Sequence, residues 1–143
     1  MKIGELAKAA RCTTETVRFY EKEGLLPKAE RTGSNYRNYG MAHLERLRFI
    51  RNCRALVMTH QEIRALLTLM DAPPADCGEV NNLLDEHIGH VDARLEELLQ
   101  LKRQLGELRQ QCQTEQSVEA CGILQGLASM EAEPKQMRDT HLG

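Results

Sequence analysis

At 143 residues, with no tryptophan, three tyrosines and two phenylalanines, the chain suits one compact domain plus an extension, and helices with modest cores rather than a sandwich or barrel. The net charge of −2 hides a polarity: residues 1–70 carry 13 basic against 7 acidic side chains, a net of +6, and the remainder carries 6 against 14, a net of −8. A basic head fits phosphate contacts. The start of the chain reads as an amphipathic helix, not a secretion signal, and no apolar run reaches membrane length, so a cytoplasmic chain without a membrane partner is expected.

Ile3 to Ala10 reads as a short helix with Ile3, Leu6 and Ala7 inward. Arg11-Cys12 is a tight turn, and Thr13 is placed to cap a second helix from Thr14 to about Glu23, stopped by Gly24. Two short helices so closely joined make a helix-turn-helix. After Leu25-Leu26-Pro27, the turn residues Arg31-Thr32-Gly33-Ser34 lead into Asn35-Tyr36-Arg37-Asn38-Tyr39, the pattern of a small β-ribbon or wing. Leu44, Leu47, Ile50 and Cys53 mark the inner face of a helix over Met41–Arg54; Thr59 caps another, with Ile63, Leu66 and Leu67 inward, ending near Met70.

Residues 71–79, with Pro73 and Pro74, form a linker, and residues 80–112 a long helix. Its apolar residues, Leu84, Ile88, Val91, Leu95, Leu98, Leu101, Leu105 and Leu108, step mostly by alternating threes and fours, which is the seam of a two-stranded coiled coil. Cys77 precedes this helix and Cys112 continues its seam. A helix of about 50 Å, at 1.5 Å per residue, keeps those two cysteines of one chain apart. Two such helices lying antiparallel would set each chain's Cys77 beside the partner's Cys112. Residues 113–128 form a polar loop and a short helix from Cys121 to Leu127, and 129–143 a disordered tail. The fold class is thus mainly α: a winged helix-turn-helix head over 1–70, an antiparallel dimerisation helix and a short C-terminal metal-binding segment.

In the head, the second helix offers Thr16, Arg18 and Tyr20, and the wing offers Tyr36, Arg37 and Tyr39. A helix fits the major groove of duplex DNA, Arg grips a phosphate or a guanine edge bidentately, and Tyr hydroxyls fix register on phosphates. The competing reading of Tyr20 and Tyr39 is that they pack against the wing.

Three blocks carry a family resemblance. Ile3-Gly4-Glu5-Leu6-Ala7, Thr16-Val17-Arg18-Phe19-Tyr20-Glu21-Lys22-Glu23-Gly24-Leu25-Leu26 and Asn35-Tyr36-Arg37-Asn38-Tyr39 resemble the MerR family of transcription regulators in order and spacing, as far as about Leu127. Asp76-Cys77-Gly78-Glu79-Val80-Asn81, Leu84-Asp85-Glu86-His87-Ile88 and Cys121-Gly122-Ile123-Leu124 resemble its cadmium- and lead-responsive branch. The resemblance implies a homodimer on a promoter palindrome and a metal held by Cys77, Cys112 and Cys121. It also implies that metal binding twists the DNA, so that RNA polymerase is engaged through DNA shape and not by direct contact.

The residues support such a site separately. Five cysteines are odd in number and unlike a secreted disulfide framework, which leaves reduced thiols as ligands. Three thiolates without an evident fourth protein ligand suit soft Pb(II), Cd(II) or Hg(II) better than structural zinc, which usually closes a tetrahedron. Pb(II) or Cd(II) is the expected effector, with Zn(II) or Hg(II) as further candidates. Cys12 and Cys53 read as small buried hydrophobes. His87 and His90, three apart, could form a second, harder site with His60 or His141, though a solvated or interhelical pair is the plainer reading. Two other functions fit less well: a redox or small-ligand sensor on the same scaffold, and a thiol enzyme, for which no Cys-x-x-Cys pair exists.

Overall fold

The computed structural model describes residues 1–31, 33 and 36–132. Thr32, Ser34 and Asn35 of the expected wing turn, His141, and the tail from residue 133 lie outside the described residues. The elements run α1 (Ile3–Ala9), α2 (Thr14–Lys22), β1 (Glu30–Arg31), β2 (Arg37–Asn38), α3 (Met41–Ala55), α4 (His60–Asp71), α5 (Gly78–Arg109), a 3₁₀ turn (Val118–Ala120) and α6 (Gly122–Ser129). Two compact units result, Met1–Leu83 and the chain from Leu84 onward.

In the first unit, capping chemistry sets most boundaries. Thr13 Oγ1 accepts from Thr16 N–H at 3.1 Å, and Thr59 and Glu62 form a reciprocal capping box at the start of α4. Helices α1, α2 and α3 close in one manner. Arg11 (φ 57°), Gly24 (φ 76°) and Val57 (φ 62°) are left-handed, and the next residue's N–H reaches back five positions, to Ala7, Tyr20 and Cys53 respectively. Gly24 adopts this conformation freely; Arg11 and the β-branched Val57 are held in it.

Leu6, Val17, Leu25, Leu26, Tyr39, Leu47, Ile50 and Ile63 form the centre of the core. Arginines of α3 tie the helices together around it. Arg46 donates to the Leu25 carbonyl at 3.1 Å and forks onto Asp71 at 2.8 Å through both terminal nitrogens, and Arg51 donates to the Ala10 carbonyl at 2.6 Å. The hydrogen bonds from Arg46 hold the Asp71 carboxyl below its usual range. β1 and β2 pair antiparallel, Glu30 opposite Asn38 and Arg31 opposite Arg37. His60 at the start of α4 lies against the rings of Phe19 (5.3 Å) and Tyr20 (5.9 Å), so α2 is gripped from the α4 side as well.

α5 is unbroken for 32 residues, about 48 Å at the usual helical rise. It begins at Gly78, whose N–H is received by Asp76, and it stops at Arg109, one turn short of the expectation. Cys112 therefore does not continue the helical seam. Gln111 N–H bonds Leu108 O and Cys112 N–H bonds Arg109 O, a tightening three residues back that turns the chain off the helix axis. Ile88, Val91, Leu95, Leu98, Leu101 and Leu105 stand exposed along α5. No helix among the described residues is long and apolar enough to cross a membrane.

Candidate metal centre and nucleic-acid interface

In the second unit the loop after α5 is closed by its own polar groups. Arg109 donates to the Cys112 carbonyl at 2.8 Å, Gln116 to Ala120 O at 3.0 Å and Gln125 to Glu119 O at 3.2 Å. Beyond this loop α6 lies back against the end of α5. The approach is close: a Cβ on Gly122 would strike the Gln111 backbone carbonyl, and one on Gly126 would meet the Gln111 side-chain amide and, at 3.3 Å, a Leu108 methyl. A glycine every fourth residue gives α6 a bare stripe where it meets α5.

That fold-back sets Cys121 beside Cys112. Cys121 is the residue before the first turn of α6. The backbone N–H of Leu124, aided by that of Ile123 and by the Cys112 thiol, holds the Cys121 thiol below its ordinary pKa against an opposing desolvation. Cys112 Sγ also lies 3.5 Å from the Thr114 carbonyl. The half-buried Cys12 and the buried Cys53 go the other way, since burial pushes both thiols up. Burial thus sets Cys12 and Cys53 apart from Cys121, whose thiol is held low. Cys77 is exposed in the other unit, its carbonyl receiving Asn81 N–H in the first turn of α5. The rings of His87 and His90 meet edge to face at 6.3 Å. His60 is occupied with Phe19 and Tyr20, as above.

In the head, Arg18 and Lys22 of α2 face Lys28, Arg31 and Arg37 of the wing across a groove of about 470 Å³. Glu21 is the single carboxylate lining it, and Arg37 holds that group at 3.3 Å. Tyr36 projects outward with the Lys2 ammonium 5.9 Å from its ring centre, and the Thr16 hydroxyl is 2.9 Å from that of Thr13. Two of the six expected surface groups are not presented. Tyr20 is 7% and Tyr39 1% exposed, because α2 and the residue after β2 fold their inner faces onto the core. Burial raises both phenols, aided at Tyr39 by the neighbouring Glu21. Lys22, Lys28 and Arg31 went unnoticed in the sequence. Lys22 stands one helical turn after Arg18, the only local hint, while the two wing cations join the groove through folding alone.

The comparisons with known proteins agree with this architecture. Residues 1–69 match the pattern described as MerR HTH family regulatory protein, and 44–108 that described as MerR, DNA binding. The HTH-type transcriptional regulator ZntR homolog of Haemophilus influenzae is 49% identical over 110 residues, 77% of this chain and 82% of that protein. A mercuric resistance operon regulatory protein of Bacillus cereus is 33% identical over 126 residues, 88% of this chain and 96% of its own. The crystal structure of the transcription regulator PbrR691 from Ralstonia metallidurans CH34 in complex with lead(II) shares 52% identity and superposes with a TM-score of 0.80, covering 89% of this chain and 98% of that one. With relatives that are transcription regulators and not enzymes, the chain belongs to the MerR family of helix-turn-helix regulators.

Proposed function

We propose that this chain is a cytoplasmic, homodimeric transcription regulator that answers to a soft metal ion, Pb(II) or Cd(II) foremost, with Zn(II) and Hg(II) as competitors. Two heads bind the halves of a promoter palindrome, α2 entering the major groove while the wing grips phosphates. The observation that carries the reading is the meeting of Cys112 and Cys121 at the start of α6; in the proposed antiparallel dimer, Cys77 of the partner's chain completes the set. Three thiolates favour soft ions, and the kinship with a regulator named for mercuric resistance and one solved with lead(II) points the same way. Metal capture biases one of two arrangements of the heads. The distorted promoter then carries the output to RNA polymerase through DNA deformability.

Titration of the reduced protein with each ion, singly and in competition, tests this. One metal per chain should bind, with ultraviolet thiolate-to-metal charge-transfer bands. Cys121→Ser should abolish those bands, whereas Cys12→Ser and Cys53→Ser should leave them. Bands that survive Cys121→Ser would remove the proposed ligand set.

A further inference from the structure

Two arginine–carboxylate pairs of the head are built differently. Arg46 forks onto Asp71, with both bonds at 2.8 Å. Arg37 meets Glu21 through one longer bond, from Nη1 to Oε2 at 3.3 Å. The forked kind is the stronger. Exposure is uneven as well: the Glu21 side chain is 8% exposed and that of Arg37 45%, so the carboxylate is fixed inside while the cation reaches the groove. Among the described residues, the second Glu21 oxygen, Oε1, is buried with no hydrogen-bond partner, and so is the Tyr39 hydroxyl. These two orphans are neighbours, for the Tyr39 hydroxyl stands beside both Glu21 and Arg37. Strand alternation puts Arg37 and Tyr39 on one side of the ribbon. Tyr39 is held in place by its N–H bond to Met1 O at 2.7 Å and by the His43 ring, edge to face at 5.3 Å. A buried carboxylate oxygen left without a donor is costly, and the phenol is the donor at hand.

We infer that Glu21 holds Arg37 back from DNA in the free protein, and that the Tyr39 hydroxyl takes over the carboxylate when Arg37 moves to a phosphate. The inference rests on the regulator reading and gives the wing a part in selectivity. Glu21 sits in a groove whose other charged lining groups are all cations, Arg18, Lys22, Lys28, Arg31 and Arg37. A duplex held loosely keeps its phosphates beyond hydrogen-bonding reach, and Arg37 stays on Glu21. A well-fitted duplex brings a phosphate close, where a forked arginine–phosphate pair outweighs one bond of 3.3 Å. The vacated carboxylate keeps a partner because the Tyr39 O–H donates to it, so the exchange leaves no buried charge bare. Glu21 thus removes one phosphate contact from unselective binding and restores it on a fitted site. Tyr39 touches no DNA in this scheme; it is a positioning residue that acts through Glu21.

Glu21→Gln, Tyr39→Phe and a double variant, Glu21→Gln with Arg37→Ala, are assayed beside Arg37→Ala alone. The targets are a duplex selected from a random pool by the parent protein and an unrelated duplex of equal length. On the unrelated duplex, Glu21→Gln should steepen the slope of log affinity against log salt by about 0.9, about 3.5-fold over a fourfold salt range. The steepening should be much smaller on the selected duplex, where Arg37 already holds its phosphate. With Arg37→Ala in place, Glu21→Gln should no longer steepen either slope. Tyr39→Phe should weaken binding to the selected duplex about 10-fold or more, the usual effect of losing a hydrogen bond to a buried charge, and binding to the unrelated duplex far less. Equal steepening on both duplexes, or none on either, would overturn the inference while leaving the regulator intact. Steepening that survives Arg37→Ala would also overturn it, by making Glu21 a plain repelling charge. A Tyr39→Phe loss of equal size on both duplexes, with a lower melting temperature, would reduce Tyr39 to packing and overturn the exchange. A parent protein that binds neither duplex would defeat the regulator reading itself.

Discussion

Replacing Leu98 by Asp should yield monomers at concentrations where the parent protein is dimeric. Leu98 is 44% exposed on the single chain, in the middle of the apolar stripe of α5. Pairing two α5 helices removes this side chain from water, and a fully buried leucine is worth about 1.5–3 kcal/mol. A carboxylate in its place loses that and adds several kcal/mol for an unpaired charge in an apolar seam. Because each dimer contains two copies, the dissociation constant should rise by at least about three orders of magnitude. Light scattering would report the mass. Far-ultraviolet dichroism should show lost helix as well, since a long helix with an exposed apolar face depends on packing more than on propensity. A dimer that survives would mean α5 does not form the interface.

Gly122→Ala should cost soft-metal affinity about 10–100-fold, the usual penalty for disturbing the support of a metal ligand. The added methyl meets a backbone carbonyl, that of Gln111, which can move only by shifting the end of α5 or the start of α6. Either motion parts Cys121 from Cys112. Gly126→Ala meets the far end of the Gln111 side chain, which can rotate away, so its effect should be markedly smaller. Chelator competition on both variants gives the comparison. The head should still bind DNA in each. Equal, unaltered affinities would show that the fold-back does not control the site.

The head was legible from the sequence where a side chain announces a local conformation. Thr13 and Thr59 marked helix starts, Gly24 a helix end, and the spacing of Leu44, Leu47, Ile50 and Cys53 a buried face, all of which the structure contains. It was opaque where tertiary packing overrides such signals. Val57 turns α3 into α4 at a positive φ that its branched side chain opposes. Tyr20 and Tyr39 carry hydroxyls suited to phosphates yet pack inward. Near Cys112, apolar periodicity extended α5 through that residue, although its last regular residue is Arg109. The overshoot matters chemically, since a cysteine on a turn can meet Cys121 and one locked on the seam would face the partner helix. The Gly122–Gly126 spacing carried that information, as a close-approach stripe, and could have been read.

In the proposed dimer the metal is held between chains, Cys77 from one and Cys112 with Cys121 from the other. One protein carries Cys77→Ser and a second carries Cys112→Ser; each homodimer lacks a thiolate at both sites and should bind Pb(II) or Cd(II) poorly. In the mixed dimer, shared sites would concentrate both substitutions at one position and restore all three cysteines at the other. Thiolate absorbance should then report one tight metal per pair of chains, with each homodimer as control. If the site lay within a single chain, every site would still lack a ligand and no tight binding would return, which would contradict the shared centre.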